Sequence, residues 1–446
     1  MTGRGHDAAT QVPARATPVA EAVLGAGDHP WAEATIWTER MLSALVNGVA
    51  GGKWYSLIDK VWAPKTLGLA WAKVRDNKGA AGVDGQSIER FAAKADEYLA
   101  ELSAAVRDRT YRPQAVKRVS IPKGDGTLRP LGIPTVKDRI VQQACRLVIE
   151  PIFEHAFAEG SYGFRPGRGC KDALREVDVA LAEGFTHVVD ADLKSYFDTI
   201  PHDALMARVE AKITDSRILD LIRMWLRAGI FDGLETWTPT MGSPQGAVIS
   251  PLLANIYLDP LDKMMAARGY RMVRYADDFV ILCRDRVEAD EALAMVSDWV
   301  TENGLVLHPT KTRIANCRKK GNGFEFLGYR FERHRRDVRK KSMDKLKDAI
   351  RDATGRSRGV NLERVISDLN PKLRGWFGYF KHAHKSTFPK LDQFVRRRLR
   401  ALLRKQDKRP GRGICRDDHR RWPNAFFADQ GLFALDTAWK TARQPR

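Results

Sequence analysis

Asp277 and Asp278 lie side by side at the centre of residues 272–282, between the apolar arms Met272-Val273 and Phe279-Val280-Ile281-Leu282. Folded as a hairpin, those arms place both carboxylates at the tip. Adjacent carboxylates repel, and a divalent cation is the simplest species that relieves both. An ordinary acidic turn has the same local pattern, so the pair alone leaves both readings open. A second acidic segment follows Val188-Val189 and contains Asp190, Asp192 and Asp198; Asp192 stands 85 residues before Asp277. Phosphoryl transfer with two magnesium ions needs carboxylates from separate elements to converge where the ions sit about 3.5–4 Å apart. Magnesium takes only a few of them, completing its shell with water and substrate phosphates. Strands ending side by side at Asp192 and Asp277 meet that need, although Asp190 and Asp198 compete on spacing alone.

The elements that must position these acids are short and mixed. Residues 242–246, Gly-Ser-Pro-Gln-Gly, form a tight loop whose backbone can approach a ligand closely. Leu252, Leu253, Ile256 and Tyr257 then begin a helix beneath it. Residues 117–134 alternate basic, apolar and turn residues around Gly124-Asp125-Gly126, which predicts a β-hairpin with a cationic surface. Helical patterning runs from Trp37 to about Val74 and again from Ile88 to about Val106. Ala292, Met295, Val296, Trp299 and Val300 share one helical face that Gly304 ends, and strands are expected at residues 305–307 and 324–331. Helices and short strands without regular βαβ alternation indicate an α+β fold. Residues 1–30 are rich in Ala, Gly, Pro and Thr and read as a mobile tail.

A length of 446 residues suits two to four structural units, and a 43% hydrophobic fraction supports a sizeable core. No stretch reads as a secretory signal or a membrane span, so no membrane partner is expected. The five cysteines show no metal-site spacing and their odd number argues against a disulfide framework, which suits a reduced, cytoplasmic setting. Residues 77–85 are glycine-rich but lack the Gly-x-x-x-x-Gly-Lys-Ser/Thr arrangement of a phosphate-cradling loop, which disfavours an ATPase. The net charge of +20 is unevenly placed: residues 331–446 hold 32 Lys/Arg against 13 Asp/Glu, and the rest is close to neutral. Such asymmetry indicates an appended polyanion-binding unit.

Tyr275, Ala276, Asp277 and Asp278 resemble the signature of reverse transcriptases. The order of blocks over about residues 50–435 is similar to that of group II intron reverse transcriptase/maturases. The blocks lie at residues 77–85, 129–134, 162–167, 192–198, 242–246, 275–278, 311–312 and 326–329. The resemblance implies a right-hand polymerase, with fingers over residues 37–184 after a tail of 1–36. It implies an antiparallel palm over 185–335, within a reverse transcriptase domain of about 77–330, and a basic α-helical thumb, the maturase domain, over 336–446. It implies that Asp192, Asp277 and Asp278 hold two Mg2+ ions, with Mn2+ as a possible substitute and the Leu193 carbonyl as a further ligand. Lys123, Arg129 and Gln245 would bind the incoming nucleotide. Phe197 would wall off a ribose 2′-hydroxyl, core packing being the alternative for that ring. Gly246, Tyr275 and Lys311 would meet primer and template. The implied partners are group II intron RNA, a DNA target with its primer strand, and deoxynucleoside triphosphates. Such a protein is expected in the bacterial cytoplasm, associated with the nucleoid.

The last blocks set the subfamily. Residues 373–380 and 421–427, followed by Gly431-Leu432, resemble the maturase domain. Between them Leu391, Phe394, Val395, Leu399, Leu402 and Leu403 form an apolar stripe, read as core. Arg396, Arg397, Arg398, Arg400, Arg404 and Lys405 surround it and, with Arg374, are expected to follow RNA phosphates. Ser243 and Ala247 stand where Thr and Gly are more usual. Beyond residue 390 only Cys415 and His419 could serve the histidine-and-cysteine endonuclease that many relatives carry, so that domain is expected to be absent. DNA synthesis would then start from an existing 3′ end. Three other readings share these features: a splicing-only maturase, a host-domesticated reverse transcriptase, and an RNA-dependent RNA polymerase. The intact acids disfavour the first. The Ser-Pro-Gln-Gly loop and thumb block disfavour the second, and Phe197 with Ala276 disfavours the third.

Overall fold

Period-two alternation in the strand-like segments and period-3.6 stripes between them become two hydrophobic cores on opposite faces of one central sheet. The computed structural model describes residues 30–122, 128–333, 335–357 and 359–443. Its strands are β1 (Val116–Pro122), β2 (Leu128–Ile133), β3 (His187–Asp192), β4 (Ile230–Phe231), β5 (Thr236–Trp237), β6 (Arg271–Tyr275), β7 (Asp278–Cys283), β8 (Arg313–Asn316), β9 (Phe324–Phe326), β10 (Tyr329–Glu332) and β11 (Arg335–Val338). They form three sheets, ordered β2-β1-β4-β5, β6-β7-β3-β8 and β11-β10-β9.

The central sheet β6-β7-β3-β8 is antiparallel throughout. Its alternation is strict. Val189 and Ala191 of β3 and Phe279 and Ile281 of β7 face the helices of the first core. Val188, Val280 and Leu282 face the second core, with the C-terminal helices. Asp190, Asp192 and Asp278 share the parity of this second face, which is why acids end these strands without disturbing the first core.

The first core is built on the helix Val136–Glu154, capped by the Thr135 side chain and buried over most of its surface. The helical region that sequence patterning draws as continuous from Trp37 to Val74 is divided into Glu39–Asn47, Ile58–Trp62 and Pro64–Asp76. Gly48, Gly51 and Gly52 all take positive φ between the first two, a conformation no helix continues through. Likewise the helix expected from Ile88 breaks at Ala93-Lys94 into Ile88–Ala92 and Ala95–Arg107. At the end of the expected tail Ile36 is buried, and beside it the buried Trp37 donates its indole N–H to the Leu147 carbonyl at 3.3 Å.

The hairpin of β1 and β2 forms in the expected place, Ile121 opposite Arg129. Helix Arg286–Glu302 ends before Gly304, whose φ is +68°. Residues 305–307 are not a strand; a single bridge joins Leu307 to Leu193. The second core holds the C-terminal helices Lys340–Ala353, Leu362–Phe380 and Thr387–Gln406, and the expected stripe is inside it, with Leu391, Val395, Leu399 and Leu402 buried. The expected boundary between residues 335 and 336 falls within β11. Among the described residues no helix is long and apolar enough to cross a membrane.

Candidate active site

Register decides where the acids meet. In the β3–β7 ladder Asp192 stands opposite Asp278, and in the β6–β7 ladder Tyr275 stands opposite the same residue. Ala276 and Asp277 are left as the two-residue tip. Ala276 takes φ +60°, unfavourable for a residue with a Cβ. A buried arginine holds it there. Arg274 is 1% exposed, and its Nη1 donates to the Ala276 carbonyl at 2.9 Å and to Asn255 Oδ1 at 2.9 Å. Its Nε and Nη2 donate to Asp262 at 2.8 and 2.5 Å. Sequence reading missed this cradle. Its one signal is a charged pair, Asp262 and Arg274, on faces otherwise filled by Leu258, Met265 and Met272.

The electrostatics explain why a cation suits the site. Burial raises the Asp278 pKa to about 7, helped by Asp190, Asp192 and Asp277, while Arg339 pulls the other way. Burial raises Asp277 too, with Asp192 adding to it against Arg129 and Lys311. Asp190 rises to about 6 through burial, partly offset by Arg313, whose Nε lies 3.6 Å from its carboxylate. Lys311 Nζ rests 2.5 Å from Asp192 Oδ2 and stands in for a positive charge at the acids. It is brought there because residues 306–308 run beside 192–194: the Lys194 N–H donates to the Val306 carbonyl and the His308 N–H to the Asp192 carbonyl. Those bonds leave the Leu193 carbonyl outside the bridge. Among the described residues no three acidic, histidine or cysteine side chains form a ready-made metal cage. Hard oxygen donors with raised pKa values fit a hard cation that keeps water and phosphate ligands.

Facing the acids is the loop of residues 242–246. The Gly132 N–H donates to the Gln245 carbonyl at 2.6 Å and the Ser243 N–H to the Phe197 carbonyl at 2.7 Å. This ties the loop between β2 and the segment after β3. Gly246 has φ +110°, and a Cβ there would lie 2.4 Å from the Gly132 carbonyl oxygen. Arg129 Nε donates to Gln245 Oε1 at 2.8 Å, so two expected nucleotide-binding side chains are in contact. Gln245 Nε2 also reaches the Asp198 carboxylate at 3.4 Å. Asp198 lies six residues past Asp192, beyond the end of β3, where Gln245 partners it. Phe197 is 8% exposed; its ring belongs to the first core and also lines a cavity of about 390 Å³ with Asp198, Gly242 and Gln245. Lys123 lies outside the described residues.

Comparison with known proteins gives the family. Residues 121–331 match the model for "Reverse transcriptase (RNA-dependent DNA polymerase)", and residues 343–422 match "Group II intron, maturase-specific domain". Protein YkfC of Escherichia coli is 35% identical over 320 residues, which cover 63% of this chain and 83% of that protein. The group II intron-encoded protein LtrA of Lactococcus lactis is 37% identical over 205 residues, 45% of this chain and 34% of its own length. The chain belongs to the group II intron-encoded reverse transcriptase/maturase family. An uncharacterized 91 kDa protein in the cob intron of Schizosaccharomyces pombe is 27% identical over 401 residues, 71% of this chain and 49% of that protein. The matches thus span about a third of LtrA and half of the yeast protein. The fold is that of a reverse transcriptase, an RNA-directed DNA polymerase domain joined to a maturase-specific domain.

Within the maturase-specific domain the expected RNA-facing cations divide into two groups. Arg400 is 2% exposed; its Nε donates to the Trp422 carbonyl and its Nη2 to Asn424, both at 2.9 Å. Arg404 pairs with the buried Asp418 at 2.7 Å, and Arg398 Nε donates to Thr354 at 3.0 Å. All three tie helices together; Arg400 is buried away from any surface ligand, whereas Arg398 and Arg404 stay partly exposed. Arg374 and Arg397 are exposed, lying 4.8 and 5.3 Å over the Phe433 and Phe394 rings. Lys405 is exposed and Arg396 half-buried.

Proposed function

We propose that this protein binds group II intron RNA through its maturase-specific domain, assists its splicing, and copies it into DNA by two-metal phosphoryl transfer during intron mobility. The observation that carries the reading is the register that sets Asp192 opposite Asp278, beside the Asp277 tip. Asp192, Asp277 and Asp278, with the Leu193 carbonyl, would hold two Mg2+ ions, or Mn2+ in their place. What such ions supply when bound is a clamp on the attacking and leaving oxygens. Arg129 and Gln245 orient a deoxynucleoside triphosphate, together with Lys123. Gly246 lets the backbone approach the forming pair, Tyr275 supports the primer–template, and Lys311 sits beside Asp192 at the primer terminus. Primer extension on an RNA template, with deoxy- and ribonucleotides in parallel, tests the reading; no extension with either would refute it.

Two variants refine it. Phe197→Val is expected to raise ribonucleotide use relative to deoxynucleotides, because the ring at the cavity wall occupies the volume a 2′-hydroxyl needs. Valine suits a buried position better than alanine, whose cavity costs several kcal/mol. Unchanged discrimination in an active variant assigns Phe197 to core packing alone. Neutralising Arg374, Arg397 and Lys405 together is expected to weaken RNA binding and flatten its salt dependence. Each phosphate that is no longer neutralised lowers the log–log slope by roughly 0.7–0.9. An unaltered slope places these three outside the interface.

A further inference from the structure

The loop of residues 160–168 belongs to a block that the polymerase reading leaves without a role. Its backbone extends the central sheet. The Arg274 N–H donates to the Gly160 carbonyl and the Tyr162 N–H to the Arg274 carbonyl, both at 2.8 Å. A Cβ on Gly163 would lie 2.2 Å from the Ala276 nitrogen, so the loop presses directly on the catalytic tip. The Gly163 carbonyl accepts from Asn255 Nδ2 at 2.8 Å, tying it to the Arg274 cradle. On the other side Arg165 is buried. Its Nη2 donates to Glu154 Oε1 at 2.7 Å, and its Nη1 donates to the Ala158 and Ser161 carbonyls at 2.7 and 2.9 Å.

Between these anchors Phe164 takes φ +61° with 43% of its surface exposed. A bulky side chain is unfavourable in that backbone region, where glycine or asparagine serves at less cost. Neither hydrophobic core includes the ring. Its ring neighbour is Tyr275, centroids 6.4 Å apart and planes inclined at 42°. Tyr275 in turn stands opposite Asp278. A strained, exposed aromatic clamped from both sides next to a reaction centre serves a ligand better than it serves the fold.

We propose that Phe164 is an aromatic platform on which one nucleotide of the primer–template stacks, flush with the catalytic tip. The inference rests on the polymerase reading and adds a contact residue to it. Every base offers a π-face, so the platform tolerates any sequence, as copying requires. The bland alternative is a ring that braces Tyr275, and it makes the opposite forecast for stability.

The experiment compares wild type with Phe164→Gly and Phe164→Asn, both suited to positive φ, and with Phe164→Tyr. Melting temperature is measured alongside affinity for an RNA template annealed to a DNA primer, at fixed salt. A single abasic nucleotide is then walked along the primer and, separately, along the template. The platform predicts unchanged or higher melting temperature in the Gly and Asn variants, about tenfold weaker binding, and recovery in the Tyr variant. It also predicts one position, on one strand, where the abasic substitution weakens wild type about tenfold and the Gly and Asn variants not at all. Affinity within twofold of wild type for both variants overturns the proposal. So does a lowered melting temperature with an unchanged abasic profile. A wild-type protein that binds no primer–template overturns the polymerase reading as well.

Discussion

Asp277→Asn is expected to reduce DNA synthesis by about a thousandfold or more while leaving intron RNA binding close to wild type. The carboxylate sits at the hairpin tip beside the facing Asp192 and Asp278, and the amide keeps its shape while losing the charge a cation needs. Metal stabilisation of a phosphoryl transition state is worth several kcal/mol, and each 1.36 kcal/mol is tenfold in rate. The fold should survive. Burial and Asp192 already penalise the ionised form of Asp277, so a neutral side chain relieves repulsion. Melting temperature measured without divalent cation should be equal or higher. RNA affinity should persist because the excess positive charge lies in residues 331–446. Primer extension and filter binding on the same preparation decide it. Extension at wild-type rate would remove Asp277 from the metal site.

How much of the molecule is legible in its sequence follows from the range of the interactions. Strand alternation is local, so β3 and β7 read directly as apolar strands, one ending in Asp192 and the other beginning at Asp278. The tight loop at residues 242–246 is legible because its glycines and proline declare themselves. Pairings set by tertiary structure are not. Arg397 and Arg400 lie on one helix, three residues apart, and nothing local separates them. Arg400 finds Trp422 and Asn424 only when the chain folds back, whereas Arg397 stays exposed. The helix break at Lys94 is hidden beneath an apolar periodicity that continues through it, whereas Gly48, Gly51 and Gly52 mark the earlier break openly. The expected strand at residues 305–307 fails differently: its apolar run serves one bridge, at Leu307, and its neighbour His308 carries the backbone into place for Lys311.

Arg274→Ala is expected to remove both stability and activity, and the two losses can be separated. The guanidinium meets Asp262, Asn255 and the Ala276 carbonyl, and both members of its ion pair are almost wholly inaccessible to water. Removing one partner of a buried pair leaves the other uncompensated, at roughly 3–5 kcal/mol. Arg274→Lys retains charge without the planar fork, so it should recover only part of that loss. Replacing the pair together, as Arg274→Met with Asp262→Leu, removes the uncompensated charge and should restore much of the melting temperature. It should not restore synthesis, because nothing then donates to the Ala276 carbonyl and the left-handed tip beside Asp277 loses its support. Thermal unfolding and primer extension at a temperature where every variant is folded distinguish the two contributions. If the double variant recovers both, the cradle serves the fold alone. If it recovers stability only, Arg274 is a positioning residue for the catalytic hairpin.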